Sequence, residues 1–338
     1  MQLSAAIGVD LGGTNVRSAV VLQDGSLVEG TRREFPSHAQ SGVEPVFEAL
    51  AECILSTRAA FAGPLAGVGV AIPGIIDDDA GEVRWAPNFG LEVDGAFRYW
   101  ENIPFRRYLE SRIDAPVVMG NDANLAALGE YAFGVGRGQA RCLVMITLGT
   151  GIGGGVIFGS GSLQGGSSGP QMMLGGNKGG VELGHILLNR GGLDCNAGSY
   201  GALEAYCQRD AVVNRARHKL RRGHKSIVTD WIQADGGRLS PRHLAEAAAA
   251  GDELSLQVWR ETGAWLGAGV GSLINVFAPD RFALGGQMAN AWDFFAPAML
   301  EEAESVAIPA LWRDCQVVCA EKIEDAGLLG AARLALGF

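Results

Sequence analysis

Short apolar runs that stop abruptly at glycine set the rhythm of this chain. Ala5 to Leu11 is apolar apart from Gly8 and Asp10, and Gly12-Gly13-Thr14-Asn15 then turns the chain. Val16 to Leu22 resumes the apolar run, and Asp24-Gly25 follows as a hairpin signal before a third strand. Apolar runs of this length between turn residues predict buried strands rather than helices. The same design returns later: Cys142 to Leu148 is a strand, Gly149-Thr150-Gly151-Ile152-Gly153-Gly154-Gly155 is the turn, and Val156-Ile157-Phe158 leads back. Two copies of strand, glycine turn and strand predict a duplicated architecture with two similar halves.

Between the copies, Glu44 to Phe61 has helical periodicity, with Val46, Leu50, Ile54 and Phe61 on one side and Gly63-Pro64 as the stop. Residues 66–72 form another buried strand, closed by Pro73-Gly74. A short strand over Pro116 to Met119 runs into Gly120-Asn121-Asp122, where a helix starts that reaches about Phe133. Residues 159–180 are rich in glycine and serine and read as a long, mobile loop. The remainder reads as mainly helical, over roughly 200–220, 240–250, 252–276, 292–306 and 324–336. One further strand, Arg281 to Leu284, ends in Gly285-Gly286. Strands that each end in a glycine pair or an Asn-Asp describe an α/β protein that binds ligands at strand C-terminal ends.

Composition narrows the class. A chain of 338 residues suits two domains rather than one core. With 48% hydrophobic and 19% charged residues it is expected to fold as a soluble protein. The formal charge of −10 argues against nucleic acid as a partner, because phosphate binding needs clustered Lys and Arg. The most basic stretch, Arg215 to Arg222, reads as a solvated helix face. No apolar run approaches the roughly 20 residues of a membrane span, and the first strand pattern begins too early for a signal peptide. Cys53, Cys142, Cys195, Cys207, Cys315 and Cys319 are scattered, mostly in apolar contexts. Such usage in a chain this long implies reduced thiols and a cytoplasmic location, not a disulfide framework.

Two glycine motifs need weighing. The P-loop string G-x-x-x-x-G-K-[ST] is absent. Gly149-x-Gly151-x-x-Gly154 matches the dinucleotide fingerprint, but that motif needs a following helix and an acid about 20 residues on. Here a strand follows, so a dehydrogenase is not expected. Asp10-Leu11-Gly12-Gly13-Thr14 follows another logic: an Asp at a strand end can organise hydrated Mg²⁺ while bare backbone amides meet phosphate oxygens. The turns at 149–155 and 285–286 strengthen that reading. On the acceptor side, Asp122 lies at a strand–helix junction within Asn121-Asp122-Ala-Asn124. It suits a helix N-cap, and it also suits a general base, since the helix dipole keeps a carboxylate charged. Glu182, His185 and Glu204 could supply hydrogen-bond acceptors for a polar substrate, though each taken singly reads as an ordinary polar residue.

Together these strings resemble the ROK family (repressors, open reading frames and sugar kinases) of the actin-like ATPase superfamily. The resemblance rests on Val9-Asp-Leu-Gly-Gly-Thr-Asn15, Ile72-Pro-Gly-Ile-Ile-Asp77, Ala86-Pro-Asn88, Gly120-Asn-Asp-Ala-Asn-Leu-Ala-Ala127, Leu148-Gly-Thr-Gly-Ile-Gly-Gly-Gly155 and Val181-Glu-Leu-Gly-His185, and covers nearly the whole chain. It implies two actin-like (ribonuclease-H-like) α/β domains with an active-site cleft between them. The expected division is 1–119 with 310–338 in a smaller domain, and 120–309 in a larger one. It implies Asp122 as catalytic base, with Gly74, Asn88, Asn121, Asp122, Glu182, His185 and Glu204 around the sugar. Asp10, Gly12, Gly13, Thr14, Asn15, Gly149, Thr150, Gly151, Gly285 and Gly286 would surround ATP, with Asp10 holding Mg²⁺ through water. The activity implied is ATP-dependent phosphorylation of a hexose at its 6-hydroxyl. The stretch from Asn121 to Gly138 resembles bacterial glucokinases and favours glucose over fructose, mannose or N-acetylated amino sugars. The resemblance also implies a homodimer, and leaves ATP or polyphosphate open as donor.

Three departures from the family pattern bear on function. Many members carry C-x-C-G-x-x-G-C-x-E after the E-x-G-H histidine, a zinc motif. Here Cys195-Asn-Ala197-Gly198-Ser-Tyr-Gly201-Ala202-Leu-Glu204 keeps only one of its cysteines, so structural zinc is expected to be absent, unless Cys207 or Asp194 substitutes. The segment from Gly159 to Gly180 is longer than usual, which suggests a lid over the sugar or a dimer contact. Family repressors carry a helix-turn-helix ahead of the first strand, whereas six residues precede Ile7 here, so DNA binding is not expected.

Overall fold

The computed structural model describes residues 4–164, 169–195, 197–234 and 236–338. Two compact units emerge: Met1–Leu143 with Gly155–Val181 and Glu324–Phe338, and Val144–Gly154 with Glu182–Ile323.

The first unit opens with β1 (Ala5–Leu11), β2 (Asn15–Leu22), β3 (Arg33–Pro36), α1 (Val43–Ala59) and β4 (Val68–Ile72). A small antiparallel sheet follows, of β5 (Ile75–Asp77), β6 (Glu82–Val93) and β7 (Ala96–Ile103). Then come α2 (Phe105–Glu110), β8 (Val117–Asn121) and α3 (Asp122–Phe133). The main sheet runs β3-β2-β1-β4-β8, with β1 antiparallel to β2 and parallel to β4.

Its two faces differ in side-chain size, as a period of two requires. Ile7, Val9 and Leu11 join Phe47, Leu50 and Ile54 of α1 in one large apolar cluster. On the other face Ala6, Ala19 and Val21 meet Leu328, Leu329 and Ala332. Small residues there let a helix approach the sheet backbone itself. A Cβ on Gly8 would lie 2.1 Å from the Leu328 carbonyl oxygen, and one on Gly69 would lie 1.8 Å from that of Ala331.

The second sheet runs β11-β10-β9-β12-β13, the same spatial order as the first when each is counted from its own opening strand. Its strands are β9 (Cys142–Leu148), β10 (Ile152–Phe158), β11 (Gln171–Met172), and later β12 and β13. The helices that follow are α4 (Leu203–Cys207), α5 (Arg209–Arg221), α6 (Val228–Ala234), α7 (Pro241–Ala249) and α8 (Glu253–Phe277). β12 (Arg281–Gly285), α9 (Trp292–Val306), α10 (Pro309–Asp314), β13 (Gln316–Cys319) and α11 (Ala326–Ala335) complete the order. Asp252 caps α8 by accepting from the Ser255 N–H at 2.9 Å. Gly263, Gly267 and Gly271 form a stripe on α8 along which α9 lies backbone to backbone; a Cβ on Gly263 would come within 2.2 Å of the Phe295 carbonyl oxygen.

Inside the first unit α3 packs on α11, and inside the second β13 pairs with β12. The structure departs from the sequence expectations in three places. The expected helix over 200–220 is two, broken at Gln208 (φ −67, ψ 165). The sheet of β5, β6 and β7 had no counterpart in the sequence reading. The loop expected to be mobile is pinned where it is described, while residues 165–168 lie outside the described residues. β11 pairs with β10, Lys178 Nζ meets Asp78 at 3.2 Å and also Asp79, and Arg84 donates to the Asn177 carbonyl.

None of the six cysteines forms a disulfide, and five are buried. Burial pushes the Cys53 thiol up to about 11, and the Cys207 and Cys315 thiols to about 12. Among the described residues no helix is long and apolar enough to cross a membrane.

Candidate active site

The predicted residues fall into one group in each unit. In the first unit the hairpin of β1 and β2 carries the first glycine turn. The Gly12 N–H donates to the Asn15 carbonyl at 2.9 Å, which leaves Gly13 and Thr14 at the exposed tip. Strand register places Asp10 opposite Arg17, and Arg17 donates to Asp10 Oδ2 at 2.5 Å. The Asp10 carboxylate therefore has a cationic partner of its own. Its Oδ1 faces the start of α11, only 3.4 Å from where a Gly327 Cβ would stand, so the glycine keeps space open beside that oxygen. An oxygen with room around it fits the water shell that Mg²⁺ retains when it accompanies a nucleotide. Asn15 turns its amide to Glu34 Oε1 at 2.6 Å and braces the turn.

β8 delivers Asn121 and, just beyond it, Asp122. Asn121, not Asp122, is the N-cap of α3: its Oδ1 accepts from the N–H groups of Ala123 and Asn124 at 3.0 and 3.1 Å. Asp122 is the first helical residue, where the helix dipole favours a charged carboxylate, and its Oδ1 accepts from Ala123 N–H at 2.8 Å. Asn121 Nδ2 donates to the Gly74 carbonyl at 3.0 Å, so three of the expected sugar residues sit together. Gly74 has φ 115, and a Cβ there would strike the Trp85 carbonyl oxygen at 2.2 Å. Asn88 takes the left-handed conformation (φ 65) at the irregularity of β6, with its Cβ 3.9 Å from where a Gly13 Cβ would stand. Sequence reasoning missed Asn124, which is 1% exposed and donates from Nδ2 to Asn121 Oδ1 at 3.1 Å.

In the second unit the two remaining glycine turns meet. A Cβ on Gly286 would lie 2.5 Å from the Leu148 carbonyl oxygen, so the end of β12 touches the end of β9 where Gly149-Thr150-Gly151 begins. The Gly149 N–H donates to the Gly151 carbonyl at 3.0 Å. The break at Gln208 lets the first N–H of α5, at Arg209, reach the Gly149 carbonyl at 2.9 Å. Glu204, 8% exposed, stands directly behind the turn: its Oε2 accepts from Ile152 N–H at 2.8 Å and lies 2.6 Å from where a Gly151 Cβ would be.

The other oxygen of Glu204 accepts from the Cys195 thiol at 3.3 Å, and the same sulfur lies 3.6 Å from His185 Nδ1. Glu182 Oε2 is 3.8 Å from His185 Nε2. Loss of water raises the Glu182 carboxyl, with His185 opposing and Glu204 adding to the rise. Burial, and then the Glu204 carboxylate, raise the Cys195 thiol, while the Ala197 N–H opposes, so sulfur is the hydrogen donor of the pair. Tyr206, also missed from the sequence, pins the preceding loop. Its hydroxyl accepts from Leu193 N–H at 3.1 Å and from Asn189 Nδ2 at 3.2 Å, and its ring stacks on Trp265 at 4.0 Å.

The sequence model of the ROK family matches residues 6–337. The chain belongs to the ROK family. Its relatives include the glucokinase of Thermotoga maritima, 34% identical over 328 residues that cover 97% of this chain and 96% of the relative. The glucokinase of Streptomyces coelicolor is 31% identical over 98% of both chains. Among solved structures, a ROK family glucokinase from Streptomyces griseus in complex with glucose and AMPPNP superposes with a TM-score of 0.81 at 30% identity, covering 99% of this chain and all of the other. The ROK chain therefore has the two-domain sugar kinase fold of the actin-like ATPase superfamily.

The zinc site of many ROK members finds a poor fit here. Three donors come together, His185, Cys195 and Glu204, all within 4.8 Å of one another. Structural zinc is held by four ligands, commonly thiolate and imidazole, and alanine stands at 197 and 202. Neither expected substitute joins the cluster: Cys207 is buried with its sulfur 3.8 Å from the Thr262 carbonyl, and Asp194 is not among the three. Glu204 is already committed to a backbone amide. These residues lie instead within hydrogen-bonding reach of one another.

Proposed function

We propose that this ROK protein transfers the γ-phosphoryl group of MgATP to the 6-hydroxyl of glucose, giving glucose 6-phosphate and ADP. The observation that carries the reading is end-to-end likeness to glucokinases at 30–34% identity, combined with Asp122 at the first turn of α3. The residue roles are our own assignment.

Asp122 accepts the proton of the 6-hydroxyl while that oxygen attacks the γ-phosphorus; the new P–O bond forms as the bond to the β-phosphate oxygen breaks. Gly74, Asn88, Asn121, Glu182, His185 and Glu204 bind the sugar hydroxyls. The turns at Gly12-Gly13-Thr14-Asn15, Gly149-Thr150-Gly151 and Gly285-Gly286 hold ATP, because peptide amides without side chains can approach phosphate oxygens closely. Mg²⁺ bound with the nucleotide would neutralise phosphate charge, and Asp10 would hold it through water. The two compact units serve as the two domains, and the working form is a cytoplasmic homodimer.

A coupled assay with ATP or polyphosphate against glucose, fructose, mannose, N-acetylglucosamine and N-acetylmannosamine tests the assignment. Glucose with ATP is expected to give the highest kcat/KM; a clear preference for another sugar overturns the glucose reading. Asp122→Asn is expected to cut kcat about 10²- to 10⁴-fold, the usual loss with a general base, while glucose binding by calorimetry stays within a few-fold. Near-normal turnover in that variant would remove Asp122 from its role.

A further inference from the structure

We propose that Cys195 is a positioning residue for the sugar site: without a metal, its thiol orders the Glu204 carboxylate and the His185 imidazole as one directional hydrogen-bonded chain. The inference rests on the kinase reading for what the site binds, but its structural content stands apart from it.

The thiol is fixed from both sides of the chain. The Cys195 N–H donates to the Ser199 carbonyl at 2.7 Å and the Gly198 N–H returns to the Cys195 carbonyl at 3.0 Å, a closed turn that sets the sulfur's direction. The loop as a whole is tied at its base, where Leu187 bridges Ala202, and along its length by Tyr206, which belongs to the same short helix as Glu204. Sulfur and carboxylate are therefore referenced to one rigid element, and no metal is needed to bring them together.

Donor and acceptor bookkeeping then fixes the polarity. Ionised Glu204 can only accept, so the Cys195 S–H points to its Oε1 at 3.3 Å. The sulfur's remaining capacity is as an acceptor; the Ala197 N–H and the Ser199 side chain bond to it, and His185 Nδ1 lies 3.6 Å away. With the imidazole hydrogen on Nδ1 and donated to the sulfur, Nε2, 3.8 Å from Glu182 Oε2, is left as an acceptor. Each oxygen of Glu204 has one protein donor, Cys195 or Ile152, and keeps a second lone pair. A cluster that presents only acceptors fits the hydroxyl groups of a sugar, which arrive as donors.

The test combines kinetics, nitrogen NMR and metal analysis on the full-length protein. Cys195→Ala is expected to raise glucose KM about three- to ten-fold, as loss of one hydrogen bond at the site predicts, with kcat and ATP KM within about twofold of wild type. Cys195→Ser keeps a hydroxyl donor and is expected to recover most of that loss. In ¹⁵N-histidine spectra, His185 is expected as the Nδ1-protonated tautomer in wild type and Cys195→Ser, and to lose that preference in Cys195→Ala. This readout does not depend on turnover: a wild-type protein inactive on every hexose would refute the kinase reading and leave the tautomer result to judge Cys195. The proposal is overturned if His185 in wild type carries its hydrogen on Nε2, if Cys195→Ala leaves glucose KM unchanged in an active enzyme, or if purified protein holds one zinc per chain that Cys195→Ala releases.

Discussion

Gly151→Ala is the substitution whose cost follows most directly from the geometry. The added Cβ would stand 2.6 Å from Glu204 Oε2, where ordinary contact needs more than 3 Å. A carboxylate at the end of a flexible side chain would normally swing away at little cost. Glu204 cannot, because it is 8% exposed and held at both oxygens, by Ile152 N–H at 2.8 Å and by Cys195 at 3.3 Å. The carboxylate must move most of an ångström, and the bond to Ile152 is lost first. A hydrogen bond to a buried charged group is worth about 1.5 to 3 kcal/mol, so kcat/KM for glucose should fall about 10- to 150-fold. Because Gly151 also belongs to a turn assigned to ATP, both glucose KM and ATP KM should rise, measured by varying each substrate at saturation of the other. A variant with both constants unchanged would mean that Glu204 is free to relocate, and the picture of a carboxylate bracing the phosphate turn would fail.

Gly330→Ala probes the packing of α3 on α11. A Cβ there would lie 1.7 Å from the Leu125 carbonyl oxygen, a backbone atom, so the two helices must part. Overpacking of this kind costs about 1 to 3 kcal/mol or more and outweighs the roughly 1 kcal/mol that alanine gains over glycine in a helix. Thermal melting should show a Tm several degrees lower, and an unchanged or higher Tm would refute the close contact. Lys178→Ala removes the cation shared by Asp77, Asp78 and Asp79. Exposed pairs contribute about 0.2 to 1 kcal/mol each, so Tm should barely move, while proteinase K should cut within residues 169–180 several-fold faster. An unaltered cutting rate would show that these pairs do not hold the segment.

β1, β4, β9 and β12 were legible because each is an apolar run cut off by glycine or proline, whereas β11 and β13, only two and four residues long, were not read. The small sheet was not legible either, because β6 and β7 mix exposed with buried positions and carry no long buried run. Within β6 the string Ala86-Pro87-Asn88 reads as a turn, and the register does shift there, with Asn88 in the left-handed region. The break at Gln208 has neither glycine nor proline to announce it; a tertiary hydrogen bond from Arg209 to Gly149 accompanies it. At the site, the residue types were readable but their partners were not. Asp122 carried a capping signal that Asn121 fulfils, and that choice depends on backbone angles at one position. Arg17 could have been found by counting back along the hairpin from Leu11 and Val16, which face each other. Cys195 looked like the survivor of a lost metal site, and only the folded loop shows its sulfur against Glu204.

The intimate seating of α11 has a consequence for how the chain emerges from the ribosome. One face of the first sheet is lined by Gly8 and Gly69, and its cover is a helix made after every other element of both units. Domains usually condense in the order of their synthesis. Here the earliest strands must wait with a bare surface while the later unit gathers, so the nascent amino-terminal half is the stretch that would call on a chaperone.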